Sequence, residues 1–214
     1  MTTGQLREKM LSNEQKEQKR KSIAKSTCAL FIKKGYVNIT ISEIAKVANI
    51  GKGTVYEYFK NKEEIVFELM ACLQEDYDPK LQQKLQQKSS TKQKTLHLFD
   101  LYLSSDEIIQ TQRKIYKEYL SVFIGHKTEK MKEYHYVMIQ KYTTIVKNIF
   151  TDAIQNGELS ELALEMIPSI FATLDGFFIA QVENDVIYKY VDTLFVLLEN
   201  KKTDINQINK EGNL

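Results

Sequence analysis

Apolar residues recur with a helical period along almost the whole chain. From about Glu14, Ile23, Thr27, Leu30 and Phe31 share one side, with Lys16, Lys19, Arg20, Lys21 and Lys25 opposite. The pattern predicts one amphipathic helix that ends at Gly35, a left-handed cap after Lys33 and Lys34. Thr40-Ile-Ser-Glu43 is a capping box, and Ile41, Ile44, Ala45 and Ala48 behind it fall at i, i+3, i+4 and i+7. Asn49-Ile50-Gly51 interrupts the period, and Lys52 to Phe59 resumes it with Val55 and Phe59 facing inward. Asn61 caps the next helix, with Glu64 three residues on.

Longer segments follow. Ile65, Val66, Leu69 and Leu73 line one face of 62–77, Asp78-Pro79 bends or restarts the chain, and a Gln/Lys-rich stretch over 80–90 continues a helix and then frays. Further helices are predicted from Ser90 or Thr91 to about Leu103, from Asp106 to about Ile124, and from Thr128 to Gly157. A region from Ser160 to about Val182 holds Pro168 at a first turn or a kink. The last helix is capped by Asn184 or Asp185. The weakly patterned residues 1–14 read as a flexible arm and 201–214 as a polar tail.

Composition sharpens this into an all-α fold. Only two prolines and eight glycines interrupt 214 residues, and no strand alternation surrounds them. The longest apolar stretches are too short to span a membrane, and the N-terminus has no apolar signal region, so a cytoplasmic setting is expected. Cys28 and Cys72 follow the apolar period and read as core residues, with no disulfide or zinc pattern. His97, His126 and His135 form no metal-ligand spacing, and no P-loop, GxGxxG or GxSxG is present, so neither a cofactor nor catalysis is expected. The net charge of +2 conceals a division: residues 1–62 carry 13 Lys+Arg against 5 Asp+Glu, a net +8, and the remainder carries −6. A basic front end suits a polyanion.

The segment 40–59, two short helices around a three-residue break, is the layout of a helix-turn-helix, whose second helix enters the DNA major groove. Thr40 stands at a helix N-terminus that favours phosphate. Gly51 relieves strain at the turn and Gly53 keeps the second helix slim. Lys52, Thr54, Tyr56 and Tyr58 project from the non-core side, with partial core packing the competing role for the two tyrosines, and Lys60 and Lys62 follow at the next helix start.

Over residues 17–62 the chain resembles the DNA-binding domain of the TetR family of bacterial regulators. The resemblance rests on Ala29-Leu30-Phe31, Gly35-Tyr36, Thr40-Ile41, Ile44-Ala45, Ala48-Asn-Ile50, Gly53-Thr54-Val55-Tyr56, Tyr58-Phe59 and Lys62-Glu63. Asn49 stands where the family more often has Gly, and Asn tolerates a left-handed backbone. The resemblance implies a three-helix DNA-binding domain over 15–62 and a helical effector-binding and dimerisation domain over 63–200. It implies phosphate contacts from Tyr56 and Lys62, phosphate or base contacts from Lys52, Thr54 and Tyr58, and Thr40 and Lys46 flanking the groove. It also implies a homodimer on a palindromic operator, most often as a repressor released by a small apolar or amphipathic effector. An activator of the same fold and a helical adaptor are the alternatives.

Seventeen of the 22 aromatic residues lie beyond residue 62. Phe99, Tyr102, Tyr116, Tyr119, Phe123, Tyr142, Phe171 and Phe178 are candidates to line an effector cavity, with ordinary core packing the competing role for each. His97 is a candidate polar anchor, with a satisfied core or surface histidine the competing role. Asp175, set among apolar residues, is a ligand contact, a helix–helix hydrogen bond or an exposed carboxylate. The last two predicted helices are apolar over wide arcs. Gly176, Phe177, Ile187, Val191, Leu194 and Leu198 are therefore predicted to meet a second subunit, with an intramolecular core alone as the alternative.

Overall fold

A computed structural model describes residues 3–126 and 128–200. The helices are α1 (Thr3–Ser26), α2 (Cys28–Lys34), α3 (Ile41–Val47), α4 (Lys52–Tyr58), α5 (Lys62–Gln86), α6 (Thr91–Leu96), α7 (Asp100–Leu103), α8 (Glu107–His126), α9 (Glu129–Gln155), α10 (Leu162–Glu165), α11 (Ile167–Ala180) and α12 (Asn184–Leu198). Single 3₁₀ turns cover Tyr36–Asn38 and His97–Phe99. Among the described residues the only strand-like pairing is a bridge between Leu159 and Glu199. No described helix is long and apolar enough to cross a membrane.

Two compact units form. Among the described residues, one takes 3–87 together with 100–126 and 128–136, the other 88–99 together with 137–200. In the first, α1 and α8 pack on α5, α2 packs on α8, and α3 packs on α4. Its core includes Ile23, Phe31, Ile44, Val55, Phe59, Ile65 and Leu69, each almost fully buried. In the second, Phe99, Val146, Phe150, Leu159, Ile170, Ile187, Val191, Leu194 and Leu198 are buried. Each such side chain contributes roughly 1.5–3 kcal/mol on leaving water.

Several local expectations change. Helix α1 begins at Thr3, taking in most of the stretch assigned to a polar arm, because residues 3–13 hold good helix formers and no proline. The predicted single helix to Gly35 is broken at Thr27, whose buried hydroxyl donates to the Ala24 carbonyl at 2.6 Å and pulls the backbone into a turn. Gly35 ends α2 with φ 69° and ψ 156°, beyond the left-handed helical region in one essentially reserved for glycine. Pro79 does not restart the chain. It is exposed inside the continuous α5, where water can replace the hydrogen bond it lacks.

The predicted helix over 90–103 is α6, a 3₁₀ turn and α7, with Ser90 in a capping box with Gln93. Asp106 caps α8 through the amides of Ile108 and Ile109. Pro168 occupies the first turn of α11. Neither Asn184 nor Asp185 caps α12. Glu183 takes that position without a side-chain hydrogen bond, and the chain turns at Gln181, where φ is 52°. The predicted tail over 201–214 lies outside the described residues.

Candidate nucleic-acid interface

The α3–α4 pair is assembled by local chemistry. The Thr40 hydroxyl accepts the Glu43 amide, and the Glu43 carboxylate accepts the Thr40 amide at 3.0 Å. Lys34 reaches the same carboxylate, and its hydrogen bond, followed by those from Thr40, holds the Glu43 carboxyl at about 2. The box therefore stays charged from mildly acidic pH upward. It is lost only as the pH falls from the ordinary carboxylate range toward that value. Helix α3 closes with paired bonds, Ile50 N–H to Ala45 O and Asn49 N–H to Lys46 O, and Asn49 takes φ 52°. The strained position of the turn is therefore Asn49. Gly51 has φ −70° and ψ 154°, an extended backbone that any residue adopts, so its expected role in relieving strain is not seen.

Ile44, Ala45, Val55 and Phe59 turn inward and leave Lys46, Lys52, Gly53, Tyr56 and Lys60 exposed on the other side. Tyr56 is 59% exposed, which settles its alternative role as core. A Cβ on Gly53 would meet nothing within 4 Å, so no packing within the chain requires a glycine there. Thr54 and Tyr58 are half-buried, and Thr40 is exposed at the start of α3.

Lys62 sits differently from the phosphate contact implied for it. Its ammonium donates to the carbonyls of Tyr36 at 2.9 Å, Val37 at 3.0 Å and Ile39 at 3.2 Å. It also lies 4.5 Å from the Tyr36 ring centroid. All three of its donors are engaged, closing the corner that leads into Thr40. Lys62→Ala should leave those carbonyls short of partners and cost roughly 1–3 kcal/mol. Chemical denaturation of the purified protein checks this, and an unchanged midpoint contradicts it.

The basic face of α1 is likewise partly spent inside the protein. Lys21 pairs with Glu75 and Lys25 with Asp76, both at 2.8 Å, and Arg20 pairs with Glu68 at 2.9 Å. These three acids all lie on α5, so the +8 of the first 62 residues overstates the charge offered outward. Arg20 reads in the sequence only as one cation of that basic face, yet it joins three helices. It donates twice to Glu68 on α5 and also to the carbonyl of Tyr58, the last residue of α4, while its guanidinium stacks 4.3 Å from the Phe59 ring centroid. Glu118 of α8, equally unforeseen, accepts the Tyr36 amide at 2.5 Å, and a Cβ on Gly35 would stand 3.5 Å from the same carboxylate.

The predicted effector-lining residues fall in both units. In the first, Tyr119 is fully buried, stacked with Tyr116 and Phe123 at 5.6 and 6.1 Å, and packed on Phe67 at 4.6 Å. Its hydroxyl meets His135 Nδ1 at 2.7 Å. Tyr102 is also buried there, and its carbonyl accepts from Arg113. In the second unit Phe99 is fully buried, and His97, Tyr142, Phe171, Asp175 and Phe178 are half-buried. An open cleft of about 310 Å³ on this unit is lined by Lys92, Glu158, Asp192, Phe195 and neighbours, and by none of the predicted residues.

The six residues predicted for the dimer seam divide by burial within the single chain. Ile187, Val191, Leu194 and Leu198 are 0–2% exposed within one chain, because this stripe of α12 faces its own unit's core. Phe177 is half-buried with its ring against Tyr190 at 5.5 Å. Only Gly176 of the six is exposed. Cys72 is buried and Cys28 half-buried, and burial pushes both thiols up.

Comparison with known proteins agrees with the geometry. Residues 23–69, spanning the end of α1 to the first turns of α5, match the model of bacterial regulatory proteins of the tetR family. The chain is 28% identical over 187 residues to the fatty acid metabolism regulator protein of Bacillus subtilis, covering 83% of this chain and 90% of that one. It is 30% identical over 130 residues to the transcriptional regulator QacR of Staphylococcus aureus, covering 60% of this chain and 67% of that one. A TetR-family regulator from Cytophaga hutchinsonii has the same fold, with a TM-score of 0.70 at 18% identity over 88% of this chain and 98% of that one. The matched segment and the capped α3–α4 pair coincide, and the relatives are regulators rather than enzymes: the chain belongs to the TetR family of DNA-binding transcriptional regulators.

Proposed function

We propose that this regulator is a homodimeric repressor that places α4 of each subunit in successive major grooves of a palindromic operator. Half-site centres would lie about one helical turn apart or a little more. The observation that carries the reading is the outward face of α3–α4. It combines Lys46, Lys52, Lys60 and an exposed Tyr56 around a glycine with open space beside it. Residues 15–62 act as the DNA-binding part and 63–200 as the part that senses an effector and dimerises. Lys52, Thr54 and Tyr58 reach phosphates or base edges, Tyr56 a phosphate, and Thr40 and Lys46 flank the groove.

The dimer face is reassigned to the outer sides of α11 and α12. Ile179 is 67% and Leu197 64% exposed, and Ala172, Gly176, Val186 and Thr193 share these sides at helical spacing. Gly176, with nothing within 4 Å of a Cβ, leaves room for a close helix.

The effector is an amphipathic small molecule. The Bacillus subtilis relative is named for fatty acid metabolism, which makes compounds with an acyl chain the first class to test. An effector that binds better to a state with wrongly spaced α4 helices lowers operator affinity by that difference.

Two substitutions test the DNA contacts by fluorescence anisotropy over a salt series. Lys52→Ala should weaken binding and reduce the slope of log K on log salt by about 0.9, one released counterion. Tyr56→Phe should weaken binding to all duplexes alike, roughly fivefold for one lost hydrogen bond, with the slope unchanged because no charge is removed. Wild-type affinity in both variants contradicts the docking face.

A further inference from the structure

We propose that the hydroxyl of Tyr190 is a polar anchor for the effector, donating to a carboxylate or carbonyl oxygen at the head of an acyl chain. This deepens the effector reading above and rests on it.

The chain satisfies its enclosed polar groups thoroughly. The Thr27 hydroxyl bonds Ala24 O, the Thr95 hydroxyl bonds Thr91 O, and the Gln112 amide bonds Leu73 O. The phenols of Tyr36, Tyr119 and Tyr134 reach Glu63, His135 and Gln74. Among the described residues, the Tyr190 hydroxyl oxygen is the one shut-off side-chain polar atom without a partner. Native proteins rarely leave such an atom unmatched, so the exception calls for a cause.

Its setting narrows the cause. Tyr190 lies on α12, and its ring meets two aromatic neighbours of the same unit, Phe99 at 6.1 Å and Phe177 at 5.5 Å. Tyrosine usually keeps its hydroxyl wet and its ring covered. Here the residue as a whole is half-buried while the hydroxyl oxygen is closed off. Bulk water does not reach that oxygen. Nor does a second subunit docked on the outside of α11 and α12, because the atom is enclosed within a single chain. The acceptor must enter among the rings. Phe177 is half-buried whereas Phe99 is fully enclosed, so the Phe177 side is the way in. A molecule offering apolar chain to the two phenylalanines and one acceptor oxygen to the phenol matches all three groups. It favours the opened arrangement by the hydrogen bond that the closed one lacks, which is the differential affinity an effector requires.

The test compares wild type with Tyr190→Phe in the full-length protein. Thermal unfolding is followed without ligand, and titration calorimetry uses oleate and oleoyl-coenzyme A as separate probes. Without ligand the variant should melt no lower than wild type, since it loses an unmatched hydroxyl. It should bind whichever probe wild type binds at least tenfold more weakly. Binding of oleate alone identifies a carboxylate as the acceptor, of oleoyl-coenzyme A alone a thioester carbonyl, and of both an acyl oxygen common to them. Equal binding by wild type and variant overturns the anchor alone. So does a fall of more than about 3 °C in the ligand-free melting temperature, which shows that the hydroxyl was already bonded. A wild-type chain that binds neither probe overturns the acyl-effector reading and the anchor with it.

Discussion

Leu194→Glu should unfold the second unit, while Leu197→Glu, three residues away on the same helix, should leave it folded and split the dimer. Leu194 is 2% exposed in the stripe with Ile187, Val191 and Leu198. A carboxylate there is buried without a partner, and the leucine's own packing is lost. Together these cost about 4 kcal/mol or more, a large share of ordinary domain stability. Leu197 is 64% exposed in the single chain, where a charge costs little within the subunit, of order 0.5 kcal/mol. Across a two-fold seam two like charges would face each other in place of apolar contact. Circular dichroism with analytical ultracentrifugation separates the outcomes. A Leu197→Glu protein that remains dimeric places the interface elsewhere. A Leu194→Glu protein that stays folded but becomes monomeric restores the stripe first read from the apolar period.

The second large effect is expected at Arg20. Arg20→Ala removes two donors to Glu68, the donor to the Tyr58 carbonyl and the cation over Phe59. The Arg20 and Glu68 side chains are 19% and 16% exposed, so the loss should fall near 2–3 kcal/mol, below that of a fully buried pair. Arg20 holds the C-terminal end of α4 to α5. The variant should therefore lose more affinity for the operator than for random duplex, where the tilt of α4 matters less. Arg20→Lys restores one charge but not the fork that reaches α4 and α5 together, and should recover only part of the loss. An Arg20→Ala protein with wild-type melting temperature and an unchanged operator-to-random ratio contradicts this role.

What was legible in the sequence follows from the range of the interactions. The Thr40–Glu43 box, the Asn61 cap on Glu64, Asn49 in a left-handed turn and Gly157 after α9 are decided within a few residues, and each appears where its spacing places it. The links that join the elements leave no such trace. Arg20 reaches a carbonyl 38 positions away and Glu118 an amide 82 positions away, and neither partner is a side chain a pattern can display. Lys62 reads as a free cation at a helix start because the three carbonyls it closes carry no sequence signal. Likewise the charge division counted ions but not their pairing, and Glu68, Glu75 and Asp76 on α5 take up part of the α1 charge.

Helix α12 shows the limit of periodicity itself. Ile187, Val191, Leu194 and Leu198 form one apolar stripe, while Val186 and Leu197 add apolar surface on an exposed side. The period shows that both exist, and only packing tells which faces inward. Tyr190, between them, was not distinguished from any other aromatic. Its significance is the absence of a partner, which no sequence reports.

The central claim is that the outward face of α3–α4 reads duplex DNA. Fluorescence anisotropy of the full-length protein, on duplexes covering the region upstream of its own and neighbouring genes, tests this most directly when run from low to physiological salt against a shuffled duplex. One palindromic segment should bind at least 10³-fold more tightly than the shuffled control, with log K falling linearly as log salt rises. Negligible affinity for every duplex at low salt, or equal affinity for operator and shuffled DNA, would contradict it.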